Sequence, residues 1–111
     1  MNRMLASLPA ALALACAVAS PSFSHSDGDQ TYDPWCCNTR DCAPIPASAV
    51  TAGPNGWRVT IRPGDHPMAR NAVTHFVPYG SERRADDGRH HACLFPTEQT
   101  LRCLYVPPQG F

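Results

Sequence analysis

The chain has no lysine: its cationic charge is nine arginines, set against nine acidic residues. Only Arg83 and Arg84 are adjacent. Nucleic-acid binding needs a basic stripe or patch, and a helix lying on a membrane needs cations massed along one face. Balanced and scattered charge supplies neither. Helical periodicity is missing as well. Pro34, Pro44, Pro46, Pro54, Pro63, Pro67, Pro78, Pro96, Pro107 and Pro108 interrupt the chain beyond its first two dozen residues. Each removes a donor and blocks the helical turn before it, so long helices are excluded. Internal repeats and low-complexity linkers are absent too.

Three missing motifs narrow the chemistry. There is no C-x-x-C, no G-x-S-x-G and no H-E-x-x-H. The first is needed for paired zinc ligands and for redox thiols at a helix N-terminus. The other two carry the nucleophile elbow of hydrolases and the metalloprotease helix. Ser81 has acidic neighbours but no base, and Asp86-Asp87-Gly88 reads as a turn. No catalytic residue is assigned, and the reading leans away from an enzyme.

What is present begins with MNRMLASLPAALALACAVASPSFSHS. A positive Arg3, an Ala- and Leu-rich run and then small residues make a secretory signal peptide. The run falls short of the ~20 apolar residues of a membrane span. Cleavage fits after Ala19 or after Ser24. Residues 1–24 are therefore read as a leader and 25–111 as one small domain, periplasmic or secreted and not integral to the membrane once processed. A domain of this size buries only about two-thirds of its unfolded surface, so it needs staples.

The staples are Cys36, Cys37, Cys42, Cys93 and Cys103, which in an exported chain are disulfide candidates. Five cysteines make two bridges and one odd thiol. Cys36 and Cys37 are adjacent, and a ring between them strains the peptide, so they take different partners or one stays unbridged. Cys93 and Cys103 either bridge each other or both reach the 36–42 segment. The odd thiol is either buried or joined to a second chain as a disulfide-linked dimer.

Period-2 alternation locates the strands. In Trp57–Arg62, Trp57, Val59 and Ile61 share a face, after the turn chemistry of Gly53-Pro54-Asn55-Gly56. Ile45–Val50 is its upstream partner, at an edge because of Pro46. In Ala72–Val77, Val73, His75 and Val77 share one face, Thr74 and Phe76 the other. Arg89–Phe95 and Leu101–Val106 flank a short loop and form a C-terminal hairpin. One hairpin face carries His91, Cys93, Phe95, Leu101, Cys103 and Tyr105; the other carries Ala92, Leu94, Leu104 and Val106. Both are apolar, so both require cover: one from the other strands, one from the N-terminal segment held by disulfides, with Trp35 as its plug. The expected fold is all-β, four to five short antiparallel strands closed by the C-terminal hairpin and disulfide-stapled.

The functional expectation is a non-catalytic binding or structural module that meets an envelope or extracellular protein through its loops Arg62–Arg70 and Gly80–Arg89. No cofactor is expected from that reading. The alternative is a copper or zinc site. His91 and Cys93 share a strand face, His75 lies on another strand, and His25 after cleavage would offer an amine and an imidazole suited to Cu(II).

The segments YDPWCCNTRDCAPIP, GWRVTIRPGDHP, VTHFVPY, DDGRHHACLF and LRCLYVPP span nearly the whole processed chain. With the CC-x4-DC element and two later single cysteines they resemble an uncharacterised family of small exported cysteine-rich proteins of alphaproteobacteria. The resemblance implies export, a five-cysteine framework and a compact β-rich domain. It implies no activity, ligand or catalytic residue.

Overall fold

A computed structural model describes residues 26–27, 30–37 and 40–109. The expected leader, residues 1–24, and His25 lie outside the described residues. Among the described residues there are nine strands: β1 (Ser26–Asp27), β2 (Gln30–Thr31), β3 (Cys42–Ile45), β4 (Val50–Ala52), β5 (Gly56–Ile61), β6 (Val73–Pro78), β7 (Arg83–Arg84), β8 (His90–Leu94) and β9 (Leu101–Val106). Three are dipeptides, which explains why alternation alone suggested four or five. The order β3-β8-β9-β7 forms one sheet, β4-β5-β6 a second, and β1-β2 a small ribbon. Among the described residues, no helix is long and apolar enough to cross a membrane.

The hairpin β8–β9 is the centre of the molecule, and both its faces are covered, as its two-sided apolarity requires. On one face Ala92, Leu94, Leu104 and Val106 pack against Ile45, Trp57, Val59 and Ile61. On the other, Cys93, Cys103 and Tyr105 pack against Tyr32, Cys36, Cys37, Cys42 and Ala85. Three layers result: the β4-β5-β6 sheet, the hairpin sheet, and an N-terminal lid. The lid is bridged to β9 by Cys36–Cys103, while Cys42–Cys93 links directly opposed residues of β3 and β8. Of the two connectivities left open, the chain takes the one in which both hairpin cysteines reach the N-terminal segment. The bridges close loops of 67 and 51 residues; on the chain-entropy model each stabilises by roughly 4 kcal/mol.

Four local expectations change. Ile45–Val50 is not one strand: Pro46 ends β3, a 3-10 turn follows at Ala47–Ala49, and only Val50–Ala52 pairs with β5. Arg83–Arg84, expected in a loop, forms β7, parallel to β9 at Tyr105 and Val106. Leu101 was placed with the cysteines, but the register shifts between Cys93 and Leu94, and Leu101 packs with the opposite core. A β-bulge of this kind adds one residue and reverses the alternation beyond it. Trp35 is not the plug. It is 63% exposed, whereas Tyr32 is fully buried beneath the lid.

Candidate functional site: a sealed histidine and an open arginine

Tyr32 reaches the hairpin because the lid crosses above β8 and β9. With the His91 Nε2–H donating to both Asp87 carboxylate oxygens at 2.9 Å, Nδ1 accepts the Tyr32 hydroxyl proton at 2.7 Å. Tyr105 packs edge-on to Tyr32 at 5.4 Å and to His91 at 6.3 Å, and its hydroxyl accepts the Asp33 N–H. Burial pushes the Tyr105 phenol above its ordinary pKa. Burial also opposes the charge on Asp87. The hydrogen bonds from His91 and Arg89 outweigh it and hold the carboxyl at about 2. Acid, imidazole and hydroxyl lie in the order of a proton relay. Tyr32 and His91, however, have no exposed surface. No substrate atom reaches that phenol, so the chain of bonds latches the lid.

The expected metal ligands are dispersed or engaged. Cys93 is in a disulfide, and a bridged sulfur is no thiolate donor. Both ring nitrogens of His91 are taken, and the His75 Nε2–H donates to the Glu98 carbonyl at 2.8 Å. Among the described residues, no group of three or more His, Cys, Asp and Glu is arranged to hold a metal ion. His66, which motif reasoning passed over, is buried. Its Nε2–H donates to the Ala92 carbonyl, and Nδ1 accepts the Met68 N–H. Desolvation lowers its pKa. Among the described residues, Cys37 is the cysteine outside both bridges, and it is 2% exposed. A disulfide to a second chain would need the lid to open first.

The two loops proposed for contacts are each anchored at a few buried residues, with most of their other residues exposed. His66 and Ala69 anchor the first to the core. In the second, Ala85 is buried, Asp86 N–H donates to Gln30 and Asp87 holds His91. A cleft of about 370 Å³ beside Trp57 contains Glu82, Arg83 and Arg84. Its charges are partly internal: Glu82 accepts the Gly80 N–H, and Arg83 pairs with Asp33 at 3.2 Å.

A further open surface adjoins the Cys36–Cys103 bridge. Trp35 precedes Cys36 and Arg102 precedes Cys103, so the disulfide that joins the cysteines also sets their neighbours together. The Arg102 guanidinium sits 4.8 Å from the Trp35 ring centre and 5.7 Å from that of Phe95. Arg102 also lines a groove with Phe76, which is 60% exposed. Arg102 Nε is buried and has no hydrogen-bond partner. Sequence reasoning missed this site because Arg102 was one of nine scattered arginines and Trp35 was sent inside. The pairing of the residues before each bridged cysteine would have found it, but only once connectivity was known. Set against protein-family models, curated proteins and solved structures, the chain matches none.

Proposed function

We propose that the chain is an exported, non-catalytic module that binds a protein outside the cytoplasm through Trp35, Arg102 and Phe76. The leader-like N-terminus and two disulfides across a domain this small support an oxidising compartment, periplasmic or secreted. The observation that carries the binding reading is Trp35, exposed at 63% yet stacked on Arg102 beside a disulfide. Tryptophan and arginine dominate interface energetics, and an aromatic held in place before binding loses little freedom on association. The sealed state of the Tyr32–His91–Asp87 chain supports a role without catalysis.

The test is photo-crosslinking in the producing cells. A photoreactive residue at position 35 or 76 should yield one discrete adduct, and the same residue at Thr51 should not. Arg102→Ala should lower the yield at positions 35 and 76, and Trp35→Ala should lower it at position 76; each truncation of an interface anchor of this type costs about 2 kcal/mol or more. Equal yields at all three positions, or none at 35 and 76, would refute the reading.

A further inference from the structure

The groove beside Arg102 lies between two strand edges that carry no further strand among the described residues. β6 is the last strand of its sheet. On the far side, β9 has β7 beside it only at Tyr105 and Val106, which leaves the flank of Leu101–Leu104 away from β8 without a strand. The groove of about 220 Å³ is walled by Phe76, Val77 and Pro78 on one side and by Leu101, Arg102 and Leu104 on the other. Ser81 also lines it, and two residues later β7 begins to pair with β9. Along β9, the flank that β7 pairs at Tyr105 and Val106 is open at Leu101–Leu104 among the described residues.

Two features select what fits the remainder. Strand edges present alternating N–H and C=O groups, and an extended backbone satisfies them by adding to the sheet. The volume lies below the ~300–1,000 Å³ usual for small-molecule pockets, as suits a segment running through an open slot. Charge decides the rest. No acidic side chain lines the groove, and among the described residues Arg102 makes no ion pair, with Nε buried and unpartnered. Its guanidinium is complementary to a carboxylate, which it can grip through two parallel donors.

We propose that the occupant is an extended peptide segment of a partner protein, added as a strand between β6 and β9 with one carboxylate on Arg102. Such a segment joins the two sheets along their facing edges. The inference rests on the binding-module reading and specifies its partner's chemistry. A seven-residue peptide display library, selected on the full oxidised chain, supplies the probe. Enriched peptides should carry an acidic residue, and binding should slow amide exchange at Leu101–Leu104 and Thr74–Val77. Replacing the peptide's acid by its amide should weaken binding about tenfold, the scale of a charge-assisted hydrogen bond. Arg102→Gln should remove that difference, and N-methylation of alternate peptide amides should abolish binding. Ser81→Trp, which fills the slot from an exposed position, should block binding and leave the fold intact.

No enrichment, protection elsewhere, or indifference to N-methylation overturns the strand addition. Protection of the same amides in the peptide-free protein, rising with its concentration, assigns the slot to a second copy and overturns it equally. If crosslinks at positions 35 and 76 persist while the peptide results fail, the module reading stands and this inference falls.

Discussion

Gly56 shows how closely one residue is constrained. A Cβ at this position would lie 2.3 Å from the Val77 carbonyl oxygen and 2.9 Å from Pro78 Cα, both backbone atoms of the neighbouring strand. Gly56→Ala should therefore cost about 2 kcal/mol or more, because β6 itself has to move; an unchanged urea midpoint would contradict this. Tyr32→Phe removes the donor to His91 Nδ1 and leaves a buried acceptor unpaired, at a cost of about 1–3 kcal/mol. Denaturant unfolding of the variant measures it. The histidines set the acid response. Burial lowers His66, and burial together with neighbouring His91 lowers His90. A base whose folded pKa is depressed binds its proton more readily unfolded, so stability is complete above the ordinary imidazole value of 6.5 and declines as pH falls below it. Asp87 adds a separate loss: its contribution is present above 3.8 and disappears as pH falls through about 2. Unfolding midpoints should fall from pH 7.5 to pH 5 and fall again toward pH 2. A midpoint that rises on acidification from pH 7.5 would reverse the sign assigned to His66.

Among the elements, the lid and the hairpin depend on one covalent link. Cys36–Cys103 closes a 67-residue loop. Replacing both cysteines by Ser should cost up to roughly 4 kcal/mol on the chain-entropy model. It should also release Trp35 from Arg102, read as a change in fluorescence in a Trp57→Phe background. The matching replacement of Cys42 and Cys93 should lower stability on a similar scale and leave that fluorescence unchanged, since those residues are also held by the β3–β8 ladder. If both pairs shift the Trp35 signal alike, the bridge is not what positions the stack. Alternation made the hairpin and its two faces legible, because a strand covered on both sides must be apolar at every position. The bulge was not legible. Nothing in LRCLYV marks where the pairing slips: Cys93 pairs with Cys103 but Leu94 with Leu101, so Arg102 is the extra residue of β9 and turns Leu101 to the other face.

For the whole molecule, the cross-links and the charge pattern give one checkable count. If the chain is cleaved after Ala19 or Ser24, then under denaturing, non-reducing conditions an alkylating reagent should modify one thiol, Cys37, and after reduction all five cysteines. Intact mass reads both numbers and shows whether the chain starts after Ala19 or Ser24. Five reactive thiols before reduction would remove the stapled architecture, and with it the support for an oxidising compartment. The missing lysines concentrate every cationic role in arginine. Arg83 pairs with Asp33 and Arg89 with Asp87, whereas Arg102 faces an open groove.

Taken alone, the sequence determined the class of the fold. Prolines excluded long helices, period-2 runs placed β5, β6, β8 and β9, and a hairpin apolar on both sides demanded three layers. These are local consequences of donor loss, pleat and hydrophobic burial, which act over neighbouring residues. The tertiary structure alone decided which cysteine stays unbridged, that Tyr32 and not Trp35 fills the lid, and that Arg102 stands beside Trp35 and Phe76. Each depends on groups dozens of residues apart meeting in one place: on the hairpin face Tyr32 packs edge-on to Tyr105. Its hydroxyl finds His91. Trp35, tied to Arg102 through the adjoining bridge, remains outside.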